Sequence, residues 1–423
     1  TAPSTEEHPQ PTRSERARGR EALVAGFPTA RALPVPLDDE PVGREWLASR
    51  GLEDTRVSTR HFVFSHRGGL GVEDAGSRNG TWVNGCRLGP GERAALADGA
   101  VVRVGRTLFV YRRELRGSDD PSAPIDGRLV GPFGLRAVAA DIDALRDRPL
   151  TNVLIEGETG TGKELAARAV AAAVGRAHPY GAVNMAGLAS GVFEAQLFGY
   201  VPGAYSGSGR GSPGVFREHE GGAVFLDELG ELPADLQAKL LRVLENRELL
   251  PVGGVRPLPV DVLVIAATNR DLDEAVAAGA FRRDLLARLA TRIALPALRD
   301  RVEDLFAIAQ AVTRQNGEEL LAANVEVEAL ERLMLHELPA NVREVASVLS
   351  RAFAAERRPS LTLEAIETIL GPPSAVASGR ASALTLERVT EALRLEGSES
   401  GAARRLGISR GMLRRFRAGQ TPR

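Results

Sequence analysis

Short apolar runs with β-forming residues, separated by glycines, fill residues 22–115. Examples are His61–Phe64, Thr81–Val83, Val101–Val104 and Leu108–Tyr111, and Asn84-Gly85 is a dipeptide suited to a tight hairpin turn. Many short strands at this spacing predict an all-β sandwich.

The pattern changes after residues 116–127, whose Gly, Ser, Asp and Pro content predicts a linker. Between 128 and 297, apolar runs alternate with amphipathic stretches. The runs Val153–Ile155, Ala223–Leu226 and Val262–Ala266 predict buried parallel strands, and Glu164–Val174 and Leu236–Asn246 predict helices. This alternation predicts an α/β domain, and residues 298–370 predict a separate small helical bundle.

The two ends of the chain have different compositions. Residues 1–21 are rich in Pro, Ser, Glu and Arg without apolar periodicity, which predicts disorder. Residues 371–382 predict a second linker, and residues 383–423 predict a short, arginine-rich helical domain.

Composition narrows the class of protein. The chain has 43% hydrophobic and 26% charged residues and a formal net charge of −1, as in soluble globular proteins. The single cysteine, Cys86, excludes an intramolecular disulfide and suits a reducing compartment. No apolar run approaches the roughly 18 residues of a membrane span, and there is no signal-peptide pattern. We therefore expect a cytoplasmic protein with no membrane partner.

The stretch GETGTGKE lies between an apolar run and an alanine-rich helix. Glycines let backbone N–H groups converge on phosphates, and the helix adds the positive end of its dipole. Among 54 Lys plus Arg residues only Lys163 and Lys239 are lysines, which indicates that Lys163 is retained for its compact ammonium group. The pattern predicts an ATP phosphate-binding loop formed by Gly157, Glu158, Thr159, Gly160, Thr161, Gly162, Lys163 and Glu164.

Two acidic residues follow a predicted central strand. Asp227 and Glu228 come directly after Ala223–Leu226, at the strand end where α/β sheets present ligands. Glu164 stands where a Mg²⁺-ligating hydroxyl is usual, so we expect Asp227 to hold Mg²⁺ together with phosphate oxygens and water. Glu228 is expected to orient and deprotonate the attacking water. Such a pair alone is usually a turn, and the phosphate-binding loop gives it this interpretation.

Residues from about 128 to 370 resemble the AAA+ domain of bacterial sigma-54-dependent transcriptional activators. The resemblance is carried by LIEGETGTGKELAARAV, GGAVFLDELGELPADLQAKLLRVLE, VIAATNRDLDEAV, FRRDLLARL, LPALRDRVEDL and LPANVREV. It implies an ATPase with an α-helical lid that assembles as a homo-hexamer and remodels sigma-54 RNA polymerase.

Further residue roles are implied by this resemblance alone. They are arginine fingers reaching the neighbouring subunit's ATP (Arg282 and Arg288), an asparagine that restrains the catalytic glutamate (Asn184), a first sensor (Thr268 and Asn269) and a second sensor in the lid (Arg343). Without it, the two finger arginines would be read as solvated surface residues and Asn184 as a turn residue.

The same family contacts sigma-54 through a Gly-Ala-Phe-Thr-Gly-Ala loop. The matching residues here are Gly203, Ala204, Tyr205, Ser206, Gly207 and Ser208. Tyr205 keeps the aromatic ring and Ser206 keeps the hydroxyl group of the family motif, whereas Ser208 adds a hydroxyl. These departures fall on the motif that best distinguishes the family. Whether the chain contacts sigma-54 is therefore an open question, whereas the departures do not affect the motifs for ATP binding and hydrolysis.

Residues 22–115 resemble a forkhead-associated (FHA) domain, which binds phosphothreonine peptides. The resemblance is carried by Gly43-Arg44, Ser58–His61, Val72–Gly85 and Asp98–Gly105. It implies that Arg44 and Ser58 contact phosphate, that Arg60 adds charge and that Asn79 grips the peptide backbone. A guanidinium and a hydroxyl suit a phosphate dianion. The implied partner is a phosphothreonine-containing protein, whereas we expect His61 to be structural.

Residues 383–423 resemble a Fis-type helix-turn-helix. Ten arginines and four glutamates lie between Arg380 and Arg423. We expect Ala402–Leu406 in the first helix, Gly407-Ile408 at the turn and Ser409 as the N-cap of the recognition helix. The residues expected to contact DNA are Arg410, Arg414, Arg415 and Arg417. A basic, solvated tail is the alternative.

The leading hypothesis joins the three parts. A hexameric ATPase bound to promoter-upstream DNA and controlled by phosphothreonine recognition remodels sigma-54 RNA polymerase so that transcription starts. One alternative is a phosphopeptide-binding AAA+ protein that no longer engages sigma-54. Another is a repressor that acts by occupying DNA.

Overall fold

The computed structural model describes residues 19–37, 39–66, 69–89, 91–146, 152–186, 190–204, 210–354, 359–371, 386–406 and 413. Within these ranges no helix is long and apolar enough to cross a membrane.

The N-terminal domain is a sandwich of two antiparallel sheets. Its strands are β1 (Arg20–Phe27), β2 (Arg31–Pro34), β3 (Pro41–Val42), β4 (Phe62–Ser65), β5 (Gly71–Asp74), β6 (Thr81–Val83), β7 (Cys86–Arg87), β8 (Arg93–Ala95), β9 (Val101–Val104) and β10 (Thr107–Leu115), with helix α1 (Arg44–Ala48) after β3. One sheet has the order β2-β1-β10-β9-β6-β7 and the other β3-β4-β5-β8. Phe62, Phe64 and Phe109 pack between them. The predicted sandwich is confirmed.

Two details refine the sequence predictions for this domain. Asn84 and Gly85 have φ angles of 50° and 79°, as a tight hairpin turn between β6 and β7 requires. Strand β1 begins at Arg20, which pairs with Leu115, so Arg20 and Glu21 belong to the sheet rather than to the predicted disordered segment.

The central domain is a five-stranded parallel sheet with helices on both faces. Its strands are β11 (Val153–Glu156), β12 (Tyr180–Asn184), β13 (Ala223–Asp227), β16 (Leu263–Thr268) and β17 (Thr291–Ala294), in the order β12-β13-β16-β11-β17; β14 (Glu248–Leu249) and β15 (Leu258–Pro259) form a small antiparallel pair. The helices are α2 (Arg136–Asp143), α3 (Lys163–Ala173), α4 (Ser190–Phe198), α5 (Gly214–Glu218), α6 (Ala234–Asn246), α7 (Leu272–Ala277) and α8 (Arg283–Ala287). Because neighbouring strands are parallel, the carboxyl ends of β11, β12, β13 and β16 meet at one edge.

The lid begins with two short turns, Leu298–Asp300 and Val302–Asp304. It continues with α9 (Leu305–Gln315), α10 (Val327–Met334), α11 (Asn341–Phe353) and α12 (Leu363–Leu370). The sequence predicts this bundle as a separate unit, but its core continues into the N-terminal sheet through Phe27, Val101, Leu108 and Val110. The reason is that β1, β9 and β10 bury residues on both faces.

The two segments predicted as linkers differ in what is described. Residues 116–127 are held against the body of the protein, since the Arg136 guanidinium donates to the carbonyls of Arg116 (2.7 Å) and Asp120 (2.6 Å). Residues 372–382 lie outside the described ranges.

Two helices, α13 (Leu386–Glu396) and α14 (Glu399–Leu406), are described at the C-terminus. They pack with Leu413 around Val389, Ala392, Ala402 and Ala403. The predicted first helix lies within α14. The predicted turn at Gly407-Ile408, the N-cap Ser409 and the four arginines expected on DNA lie outside the described residues.

Candidate nucleotide and phosphopeptide sites

The phosphate-binding loop turns between β11 and α3 at the carboxyl edge of the sheet. Gly160 and Gly162 have φ angles of 78° and 103°, a region that favours glycine. A Cβ at Gly160 would lie 2.1 Å from the carbonyl oxygen of Ala340, at the start of α11. The loop therefore needs glycine both for its turn and for the close approach of the lid.

Lys163 is buried at the start of α3. Its Nζ donates to the carbonyls of Gly157 (3.0 Å) and Glu158 (3.1 Å). Burial lowers the pKa of Lys163, with the charges of Asp227 and Glu228 raising it and that of Arg343 lowering it. The ammonium thus lies within electrostatic reach of both acidic residues and of the expected second sensor.

Asp227 and Glu228 occupy the end of β13 and the turn after it. Glu228 has φ 59° and ψ 44°, a left-handed conformation that costs a non-glycine residue about 1–3 kcal/mol. Its N–H donates to Asp227 Oδ1 over 3.0 Å. Asn184 pairs with Asp227 across β12 and β13, and its Oδ1 accepts the Ala186 N–H at 2.7 Å. The expected acids and the expected switch asparagine thus lie side by side, and strain is stored at Glu228.

The expected sensor residues also meet the loop. Thr268 is buried at the end of β16, and its carbonyl accepts the Gly157 N–H at 3.1 Å. Asn269 Nδ2 donates to Thr159 Oγ1 over 3.2 Å. Arg343 is exposed on α11, beside Gly160. Each of the three therefore joins β16 or the lid to the nucleotide loop.

Arg282 and Arg288 flank α8 on the surface, and each pairs with a carboxylate outside the phosphate-binding loop. The Arg282 guanidinium pairs with Asp284, with Nε–Oδ1 at 3.0 Å and Nη2–Oδ2 at 2.7 Å. The Arg288 guanidinium pairs with Glu245. Both side chains are exposed. Their ion pairs are weak enough at the surface to be exchanged for a stronger anion.

Sequence reasoning missed the groups that hold Glu158. Arg299 Nη1 donates to Glu158 Oε2 over 2.8 Å, and Asn341 Nδ2 donates to Glu158 Oε2 (3.3 Å) and to the Thr159 carbonyl (3.0 Å). Burial raises the pKa of the Glu158 carboxyl, but the hydrogen bonds and charge of Arg299 bring it below its ordinary value. Among 54 basic residues a single arginine gives no signal, and Asn341 gives none beyond its place in the LPANVREV motif.

At the base of the expected sigma-54 loop, the backbone forms β-bridges to two other segments of the chain. Tyr200 bridges to Ser212 and to Val252. Gly203 has a φ angle of 80°. A Cβ at Gly253 would lie 3.0 Å from the Ala204 Cβ, so Ala204 packs against the 251–254 turn. Residues 205–209, with the predicted Tyr205, Ser206, Gly207 and Ser208, lie outside the described ranges.

In the N-terminal domain, Gly43 brings two loops together. A Cβ at Gly43 would lie 1.8 Å from the Thr59 carbonyl oxygen, and the Arg44 N–H donates to the Ser58 carbonyl at 3.0 Å. The Arg44 guanidinium donates to the carbonyls of Val57 (3.0 Å) and Thr55 (3.2 Å). Arg44 and Ser58 are thereby held next to each other at the end of the sandwich.

Asn79 and Ser58 tie the second loop to the first. Asn79 Nδ2 donates to the Arg56 carbonyl over 2.5 Å, and Ser58 Oγ accepts the Arg78 N–H at 3.1 Å. Arg60 is exposed on the same loop as Ser58. The four residues expected to bind a phosphopeptide thus lie on two loops that contact each other.

His61 is buried beneath these loops. Its Nδ1 accepts the Ser58 N–H at 3.0 Å, so the Nε2–H donates to the Gly80 carbonyl at 3.1 Å. Burial lowers the pKa of His61. A neutral imidazole that makes one hydrogen bond to each loop agrees with the structural role expected from the sequence.

Two family models match these two regions. The Sigma-54 interaction domain model matches residues 134–294, and the FHA domain model matches residues 42–105. The chain carries a sigma-54 interaction domain and an FHA domain. The central α/β unit is accordingly an AAA+ domain, and the N-terminal sandwich is the FHA domain.

The curated relatives include transcriptional regulators. The chain is 37% identical over 299 residues to "DNA-binding transcriptional regulator NtrC" of Rhizobium meliloti, covering 68% of this chain and 61% of that protein. It is 41% identical over 260 residues to "Regulatory protein LuxO" of Vibrio cholerae, covering 59% and 49%. The chain thus spans about half to three fifths of the length of these relatives.

Solved structures of a related protein contain nucleotides. The crystal structure of NtrX from Brucella abortus in complex with ATP is 28% identical, covers 70% of each chain and superposes with a TM-score of 0.50. The complex of the same protein with ADP is 27% identical with a TM-score of 0.51.

Proposed function

We propose that the protein is an ATP-hydrolysing, DNA-binding transcription activator that remodels sigma-54 RNA polymerase under the control of phosphothreonine recognition. The observation that carries this proposal is the convergence of Lys163, Asp227 and Glu228 at the phosphate-binding loop of a sigma-54 interaction domain. The homo-hexamer and the polymerase contact come to this chain from its family.

The residues at the loop fit ATP with Mg²⁺. Positive-φ glycines leave room for phosphate oxygens, and a buried lysine and a strand-end aspartate supply one cation and one hard oxygen ligand. Asp227 would hold the Mg²⁺, whose charge would offset that of the phosphates. Lys163 would exchange its two carbonyl contacts for phosphate oxygens.

Hydrolysis requires a base and added positive charge. The Glu228 carboxylate is proposed to take the proton of the attacking water, and Asn184 on the neighbouring strand is proposed to restrain that carboxylate until ATP is sensed. Arg282 and Arg288 of an adjacent subunit would neutralise the charge that develops on the γ-phosphate. The first and second sensors, Thr268 with Asn269 and then Arg343, would report phosphate occupancy to the lid.

Capture of sigma-54 tests the proposed activity directly. The hexamer, trapped with an ATP transition-state mimic, is expected to retain purified sigma-54 factor in a pulldown. Tyr205→Ala is expected to lose this retention, because the aromatic ring of the loop is removed. Tyr205→Phe restores the family's own residue and is expected to keep it. No retention by the unaltered protein would favour a phosphopeptide-binding AAA+ protein that acts on another partner.

Replacing Arg44 with alanine is expected to weaken binding of a phosphothreonine peptide about 10–100-fold, because charge-assisted hydrogen bonds to phosphate are lost. The probe is a phosphothreonine-oriented peptide library measured by fluorescence polarisation, with the unphosphorylated library as reference. Arg113→Gln, an exposed arginine on β10, is the matched control. Equal binding by the Arg44→Ala protein would remove the phosphopeptide assignment.

We further propose that residues 383–423 bind promoter-upstream DNA through Arg410, Arg414, Arg415 and Arg417. This proposal is supported by the packing of α13 and α14, which share a buried apolar cluster with Leu413. Two packed helices of this kind are compatible with a helix-turn-helix.

A further inference from the structure

The FHA domain docks on the lid through a wall of apolar side chains. Phe27 of β1 meets Phe306 of α9 edge to face, with ring centroids 4.9 Å apart. Val101, Leu108 and Val110 enter the same buried cluster as the lid helices. Gly26 lies so close that a Cβ there would be 2.8 Å from the Glu303 carbonyl oxygen. This contact resembles a domain core rather than a loose interdomain surface.

Two arginines of the FHA sheet make buried ion pairs across the contact. Arg112 Nε donates to Glu303 Oε1 over 3.0 Å, and its Nη2 contacts the same carboxylate and the Asp300 carbonyl at 2.9 Å. Arg103 Nε donates to Glu331 Oε2 over 2.7 Å. Arg112 also contacts Asp98 of its own domain at 3.5 Å. Separation of the domains would nevertheless leave the buried carboxylates of Glu303 and Glu331 without these arginine partners.

A second path joins the phosphopeptide loop to the lid. Asp54 Oδ1 accepts the Arg56 N–H at 2.9 Å, and Asp54 Oδ2 accepts the Arg106 N–H at 2.6 Å. The Arg106 guanidinium in turn donates to the lid carbonyls of Ala322 (3.0 Å) and Val325 (3.4 Å). Arg56 is the residue whose carbonyl holds Asn79. The loop that would bind a peptide is thus connected to the lid by hydrogen bonds through two residues, Asp54 and Arg106.

On its other side the lid holds the nucleotide loop. Arg301, buried between the two turns that hold Asp300 and Glu303, donates to the Thr161 carbonyl over 3.3 Å. In α11, the Val342 N–H donates to the Gly160 carbonyl at 3.0 Å. The segment 298–304 therefore contacts the FHA sheet through Glu303 and the phosphate-binding loop through Arg301.

We propose that the FHA sheet, packed against the ATPase lid, holds the lid in position. We also propose that Arg106 is a positioning residue through which the phosphopeptide loop sets the affinity of the ATPase domain for nucleotide. The inference rests on the proposed ATP and phosphothreonine binding and adds the route between them. Because coupling between sites is reciprocal, nucleotide in the lid also changes the affinity for the peptide.

The test measures the Kd of a fluorescent, non-hydrolysable ATP analogue for the full chain. Arg106→Met removes the guanidinium contact and keeps the stem, and Gly26→Val drives a wedge against Glu303 without changing charge. Each variant is expected to bind the analogue at least about fivefold more weakly, the lower end of common coupling strengths. Arg113→Gln, exposed on the same sheet, is the control and is expected to bind within about twofold of the unaltered protein. Thermal melting shows that each variant is folded.

A second measurement separates coupling from simple support. A saturating phosphothreonine peptide, chosen from the library above, is expected to change the analogue's Kd in the unaltered protein and in Arg113→Gln but not in Arg106→Met. Unchanged nucleotide affinity in both folded interface variants would overturn the inference and leave the proposed function standing. Failure of the unaltered protein to bind the analogue would instead remove the proposed ATP site. If no phosphothreonine peptide binds, the two interface variants alone decide whether the FHA sheet acts on the lid.

Discussion

Replacing Glu228 with glutamine is expected to lower ATP hydrolysis about 10²–10⁴-fold while leaving ATP binding unchanged. Glutamine keeps the shape of the side chain and its left-handed backbone but cannot accept the proton of the attacking water. Phosphate release under saturating ATP measures the loss of kcat, and the fluorescent analogue measures binding.

Glu231→Gln is the matched control for this experiment. Glu231 lies in the short turn after Glu228 and pairs with Arg270 on the surface. It is expected to hydrolyse ATP at the unaltered rate. Normal turnover by Glu228→Gln would assign the base to another group.

Lys163→Ala, by contrast, is expected to lose ATP binding, since it removes the only ammonium among the described loop residues.

Replacing Arg282 with alanine is expected to reduce hydrolysis about 10³–10⁵-fold in the assembled protein and to spare ATP binding. Within the described residues, the Arg282 guanidinium pairs with Asp284 and reaches no group of its own phosphate-binding loop. Under the proposed function its effect is therefore expected at the site of a neighbouring subunit. Arg283→Ala, the exposed next residue on α8, is the control and is expected to stay active.

Mixing two inactive proteins tests this directly. Arg282→Ala keeps Glu228, and Glu228→Gln keeps Arg282. In mixed rings, a site with an intact Glu228 can receive an intact Arg282 from next door, so hydrolysis is expected to reappear on mixing. Activity of a monomer, or no recovery in mixed rings, would contradict a site shared between subunits.

The parts of the protein that the sequence predicts well are local. The phosphate-binding loop, the acids after β13 and the hairpin at Asn84-Gly85 each need only neighbouring residues of the right type. The β sandwich and the α/β sheet follow from short-range apolar patterns, and the structure confirms both. Each of these features could be predicted because its physical cause lies within about ten residues of chain.

Long-range contacts were beyond reach of the same reasoning. Arg112 and Glu303 are 191 residues apart, and Arg103 and Glu331 are 228 apart. Because nearly every basic residue in the chain is an arginine, the sequence does not distinguish Arg103 and Arg112 from surface arginines. The apolar residues by which β1, β9 and β10 pack on the lid likewise cannot be told from residues of the sandwich core. The sigma-54 loop at Tyr205 and the DNA contacts stay predictions.

The buried pairs between the FHA sheet and the lid limit how this chain can be recombined. A foreign FHA module grafted in place of residues 22–115 would bring its own outer surface, and Glu303 and Glu331 would then be enclosed without counter-charges. A grafted chimera would therefore also need new lid residues at these positions. The FHA domain and the lid must in this sense be exchanged together.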